Sequence, residues 1–99
     1  MILIAGTVRV PPENLDAARP HMEKMLKASR AEAGCRSYSY AQDILDPGLI
    51  HVAESWDDAD ALAAHFASPH MKAWRAAGAD FGIGERQLTR YVVTDATPL

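Results

Sequence analysis

"RSYSYAQDILDPGLIHVAESW", residues 36–56, decides the fold. Tyr38 and Tyr40 alternate with Ser37 and Ser39, a period of two that predicts a strand over 36–44. "LDPGL" (45–49) predicts a tight reversal, with Pro47 pre-setting the first central position and Gly48 taking the positive φ of a type II turn. The chain then returns as a strand over 49–56, hairpinned to the one before. Ile50, Val52 and Trp56 fall on one side of it, Leu49 and Ala53 on the other. Glu54 shares the face of Val52 and Trp56. A buried carboxylate there needs a partner, and Arg9, Arg36, Arg86 and Arg90 are the candidates for an ion pair at or near a subunit seam.

Upstream, "ILIAGTVRV" (2–10) is rich in β-branched residues and predicts the first strand, apolar on both faces. Leu15, Ala18, Met22, Met25, Leu26 and Ser29 recur at helical spacing; Pro20 predicts a kink or a separate first turn, and Gly34 a C-terminal cap. Downstream, "DDADALAAHFAS" predicts a helix capped by Asp57. "SPHMKAWRAAG" predicts another, with Ser68 as cap, Pro69 in the first position and Gly78 as the stop. "GERQLTRYVVTDA" (84–96) predicts the last strand.

The order β-α-β-β-α-β, its second helix broken in two, predicts an α+β ferredoxin-like plait: a four-stranded antiparallel sheet with helices on one face. Strands apolar on both sides imply a covered second face. The simplest cover is a second copy of the chain, a homodimer through the sheet face. At 99 residues one domain (1–99) is expected, with its core over about 2–93 and a tail over 94–99.

Composition narrows the function classes. A formal charge of −3 gives no basic surface for nucleic acid or anionic lipid. The apolar opening is too short for a membrane span and lacks the basic start of a signal peptide. A single cysteine, Cys35, excludes an internal disulfide framework, and a cytoplasmic location is expected. Flanked only by Arg36, Cys35 reads as a small buried filler. "GADFGIG" follows a helix instead of linking a strand to one, so it is no phosphate loop.

The chemistry-bearing stretch is "AHFASPHMKAW" (64–74). His65 and His70 stand five apart across a Ser-Pro break, which does not pre-form the i, i+4 metal pair, and no further ligand is evident; no metal is expected. His65 reads either as a general base or as a helix-end residue capping the last carbonyls. His70, in a first helical turn, is disfavoured as a cation by the dipole. Phe66, Met71 and Trp74 make an apolar stripe that fits core packing or a lid over a flat ring. Tyr38 and Tyr40 fit either a pocket wall or a subunit seam.

"AEAGCRSYSY", "DPGLIHVAESW" and "DDADALAAHFASPHMKAW" together resemble the antibiotic biosynthesis monooxygenase domain family, over about residues 2–93. The resemblance rests on Gly34-Cys35, on Glu54 and Trp56, and on His65 with Ser68, Pro69 and His70. It implies a dimeric α+β barrel whose subunits bind a fused-ring phenol or quinol between sheet and helices. It also implies oxidation by dioxygen with no metal, flavin or other cofactor. In such a pocket His65 is the expected proton acceptor, with Thr7, Tyr38, Phe66, His70 and Trp74 lining it. A haem-degrading branch is similar in outline. It carries an asparagine, a tryptophan and a haem-binding histidine where this chain has Thr7, His65 and Arg75, which argues against haem. Because fold does not fix chemistry, a non-catalytic small-aromatic-binding dimer and an isomerase or cyclase stand as alternatives.

Overall fold

The hairpin forms as its alternation demands. In the computed structural model, which describes residues 1–99, β2 (Cys35–Gln42) pairs antiparallel with β3 (Leu49–Trp56), placing Tyr38 opposite Glu54 and Tyr40 opposite Val52. β1 (Ile2–Arg9) pairs with β3 and, on its other edge, with β4 (Gly84–Val92), giving the antiparallel order β2-β3-β1-β4. α1 (Leu15–Arg30), α2 (Ala59–Phe66) and α3 (Pro69–Phe81) complete the ferredoxin-like plait.

Several local expectations need correction. β2 stops at Gln42 because Asp43 turns the chain: its Oδ1 accepts from Leu45 N at 2.8 Å and Asp46 N at 3.0 Å. In the reversal Leu49 N donates to Asp46 O at 3.0 Å, but Gly48 keeps a negative φ, so the turn is not type II. Glycine is needed there for space, since a Cβ would lie 2.8 Å from the Val10 carbonyl. β4 ends at Val92, where β1 runs out of partners.

A 3-10 turn (Pro12–Asn14) precedes α1, which then runs unbroken through Pro20; the missing amide falls on an exposed face. α1 ends at Arg30, four residues before Gly34, which is therefore not its cap. Asp58, not Asp57, caps α2, accepting from Ala61 N at 2.8 Å, while Asp57 pairs with Arg36 at 2.7 Å. α3 passes through Gly78 and stops at Gly82, whose φ of +70° supplies the left-handed cap. Ser68 caps its start, as the sequence predicts.

Ile2, Ile4, Met25, Tyr38, Trp56, Leu62, Met71 and Trp74 form the larger core, and Val8, Val10, Ile50 and Val52 a second cluster. Each fully buried large side chain contributes about 1.5–3 kcal/mol. Every residue of this list from β1 and β3 has an even number, so the odd-numbered residues face away from the helices. That far face is not the continuous apolar surface the sequence suggests. Its rows read Ser37-Ser55-Leu3-Tyr91, Ser39-Ala53-Ala5-Thr89 and Ala41-His51-Thr7-Gln87, mostly small and partly polar. β4 is exposed along nearly its whole length, including Leu88 and Val92 on the helix side. No helix is long and apolar enough to cross a membrane.

Candidate functional site

Where α2 gives way to α3, three chain segments deliver polar side chains to one point. Glu32 comes from the turn after α1, where its amide bonds to Ser29 O and its carbonyl accepts from Cys35 N. His65 comes from the last turn of α2 and His70 from the first turn of α3. Glu32 Oε1 faces His65 Nδ1 at 2.7 Å and His70 Nε2 at 2.5 Å. The sequence spacing missed this carboxylate because it lies 33 residues from His65.

The surrounding bonds fix the tautomers. The Ser68 hydroxyl spends its one proton on His65 O at 2.6 Å, so toward His70 Nε2, at 3.2 Å, it acts only as an acceptor. His70 Nε2 therefore carries hydrogen. The same logic, with an ionised Glu32, puts hydrogen on His65 Nδ1. The opposite nitrogens have no protein partner: His65 Nε2 is buried without one, and His70 Nδ1 makes no protein hydrogen bond. Burial pushes the His65 pKa down and the Glu32 bond only partly opposes it, so this imidazole is neutral near pH 7.

His65 is 0% exposed, enclosed by Trp56 at 4.6 Å and Tyr38 at 5.2 Å between ring centroids. It lines none of the four main clefts, which places it behind the surface a substrate would meet. Between sheet and helices the larger core is closed by side chains, and a cleft of about 90 Å³ remains at the edge where Leu15, Arg19 and Met22 of α1 face Tyr40, Gln42 and Ile50 of the sheet. The concavity next to the triad is instead a cleft of about 90 Å³ in the α1–α3 seam. His21, Lys24 and Met25 of α1 face His70, Ala73, Trp74 and Ala77 of α3 across it. Both stripes have helical spacing, a signal readable only once the two helices are known to touch.

Of the expected lining residues, the structure brings together His70 and Trp74. Thr7 is on the far face of the sheet, opposite His51 and Gln87. Phe66 is 45% exposed on the outside of α2. Tyr38 is buried beneath His65, and burial pushes its hydroxyl pKa well up, leaving it a hydrogen-bond donor and not an anion.

Glu54 has no arginine partner. It is 5% exposed on the helix side of the sheet and accepts from Trp56 Nε1 at 3.1 Å; burial pushes its carboxyl pKa up against the hydrogen bonds of Trp56 and Tyr38. Arg9 and Arg36 are engaged by Asp46 and Asp57 instead. Cys35 is half-buried, and its thiol is also pushed up by burial.

Comparison with known proteins gives a consistent picture. The sequence profile described as antibiotic biosynthesis monooxygenase matches residues 1–77. A candidate monooxygenase of Mycobacterium tuberculosis is 33% identical over 88 residues, covering 89% of this chain and 81% of that one. An uncharacterized protein of Synechocystis is 30% identical over 70 residues, 71% of this chain; the matched stretch spans only 48% of that longer protein. Among solved structures, a candidate antibiotic biosynthesis monooxygenase from Deinococcus radiodurans superimposes with a TM-score of 0.91 at 25% identity, over 100% of this chain and 98% of that one. The Mycobacterium tuberculosis protein's own structure gives 0.83 over 98% of each chain, at 25% identity.

Proposed function

The chain belongs to the antibiotic biosynthesis monooxygenase family, and on that footing we propose that it oxidises a small phenol or quinol with dioxygen at the α1–α3 seam. The observation that carries this reading is the position of His70. Its ring lines the cleft while its Nε2–H is held by Glu32, which leaves Nδ1, free of any protein hydrogen bond, as the proton acceptor this reading assigns toward a bound ligand. His65, closed off behind Glu32, is a positioning residue: it occupies the same carboxylate oxygen and holds that oxygen in place. Trp74 and Met25 offer an apolar wall, and the Lys24 ammonium a counter-charge for a phenolate.

The cleft volume of about 90 Å³ is below the 150 Å³ of a cavity that takes up benzene, and its mouth is open. Its open mouth admits the edge of one ring, with the rest of the ligand left outside the cleft. The proposed sequence needs only substrate and dioxygen. The phenol passes its proton to His70, and the phenolate gives one electron to dioxygen. The two radicals join at a hydrogen-bearing ring carbon ortho or para to the phenolate oxygen, the peroxide takes the proton back from His70, and the hydroperoxide loses water as its O–O bond and that C–H bond break. One oxygen atom remains as the quinone carbonyl and the other leaves in the water.

We further propose that the active form is a homodimer. The far face supports this, because the Ser39-Ala53-Ala5-Thr89 row carries only small side chains, which let two sheets approach, and β4 is exposed along nearly its whole length.

Oxygen uptake on a panel of single-ring quinols tests the reading. One dioxygen consumed per quinone formed is expected, falling by about 100-fold in His70→Ala. Tight ligand binding with no oxygen uptake across the panel, or an unchanged rate in the variant, would overturn it.

A further inference from the structure

We propose that Glu32, His65 and His70 form a binding site for one divalent transition-metal ion of the zinc or cobalt type, and that the ion regulates this site by occupying its proton-handling groups. Binding rests on the triad alone; the consequence for turnover rests on the oxidation reading above.

The candidate donor atoms of the three residues all lie within 4.8 Å of one another. They arrive from three elements whose positions are fixed independently: a turn pinned on both sides, the end of α2, and the capped start of α3. Two imidazoles with one carboxylate suit zinc, cobalt or iron, and no thiolate is present to draw softer ions. Burial is graded across the site. The His65 side chain is fully buried, while those of Glu32 and His70 are 16% and 20% exposed. The back is closed, and the front opens to solvent for entry and for the remaining water ligands.

Rearrangement is small. In the hydrogen-bonded triad the nitrogens stand 2.7 Å and 2.5 Å from Glu32 Oε1. Tetrahedral donors around a zinc ion at about 2.1 Å stand about 3.4 Å apart. Rotation of the Glu32 carboxylate, whose second oxygen makes no hydrogen bond, opens the two N···O distances, and a turn of the partly exposed His70 ring adjusts the spacing of donors that already lie within 4.8 Å. On binding, each ring exchanges its proton from the nitrogen facing the carboxylate to its other nitrogen, so the ion takes the place of the two N–H groups now facing the carboxylate. His70 Nδ1 then ceases to be a bare acceptor. A metal-loaded triad is consequently unable to deprotonate a phenol in the cleft.

Calorimetric titration of zinc chloride into chelator-treated full-length protein tests the site, with cobalt chloride as the optical probe. One ion per chain is expected, with visible cobalt absorption characteristic of a nitrogen–oxygen ligand set. Affinity should fall by about tenfold or more in Glu32→Gln and in His70→Ala, each checked for folding by circular dichroism, and stay unchanged in His51→Ala. Absence of binding at millimolar zinc, or equal binding by the Glu32→Gln/His70→Ala double variant, would overturn the proposal. Because binding is read by heat and absorption, it succeeds or fails independently of any loss of oxygen uptake.

Discussion

Truncating Glu32 to alanine removes the one acceptor shared by two imidazoles, and the cost follows from their burial. His65 is 0% exposed, so its Nδ1–H would lose a 2.7 Å bond to a carboxylate with no water to replace it. Orphaning a buried donor costs about 1–3 kcal/mol. His70 loses its bond too, but with its side chain 20% exposed and Ser68 Oγ at 3.2 Å it keeps a partner and adds about 0.5 kcal/mol. Glu32→Ala should therefore destabilise by about 1.5–3.5 kcal/mol, while Glu32→Gln, which keeps an acceptor oxygen, should cost about 1 kcal/mol. Urea unfolding at pH 7.5, followed by tryptophan fluorescence, reads both, since Trp56 packs 4.6 Å from the His65 ring. A pH series adds a second check. With the folded His65 pKa below its unfolded value, the unfolded chain binds more protons between the two, and stability falls as pH drops from about 6.5. Losing Glu32 removes the bond that opposes this depression, so the acid loss should extend to lower pH. A Glu32→Ala protein within 0.5 kcal/mol of wild type, with the same acid limb, would refute the triad.

Glu54 carries the opposite linkage. Its folded pKa is raised, so the folded state binds more protons above the unfolded value of about 4.3, and stability is lost as pH rises through that window. Glu54→Gln, measured by calorimetry, should raise Tm more at pH 7.5 than at pH 4; an equal shift at both would contradict a carboxylate whose burial outweighs its hydrogen bonds. Ala77→Phe places a ring in the α1–α3 cleft and should abolish quinol binding by equilibrium dialysis while leaving the circular dichroism spectrum intact; unchanged binding would move the site elsewhere. Ala53→Arg puts a charge in the middle of the far face, and sedimentation equilibrium should then read a monomer where the wild type reads a dimer; a wild-type monomer at 10 μM would end that proposal.

The fold was legible because its signals are local. Alternating tyrosines, Ser68-Pro69 at a helix start and the β-branched opening each declare their element without reference to the rest of the chain. The misplacements at Gly48, Asp57 and Gly78 share a cause. Each residue has a stereochemical preference the position satisfies, but a neighbour settles the matter: the Val10 carbonyl at Gly48, Arg36 at Asp57, and a better-placed glycine, Gly82, beyond Gly78. The candidate site was legible only in half. His65, His70 and Trp74 stand out in one short stretch, but Glu32, His21 and Lys24 join them solely through the packing of α1 on α3, which no spacing encodes. The face Thr7 takes was not legible, because strand parity depends on which face the helices cover, and "ILIAGTVRV" is apolar on both.

One carboxylate holds two imidazoles and leaves their outer nitrogens without protein partners. Long-range nitrogen–proton correlation spectra of the histidine rings at pH 7.5 read this directly. They should show His65 protonated only at Nδ1 and His70 protonated at Nε2, with both assignments disturbed in Glu32→Ala. Hydrogen on His65 Nε2, or a His70 ring unaffected by loss of Glu32, would contradict it.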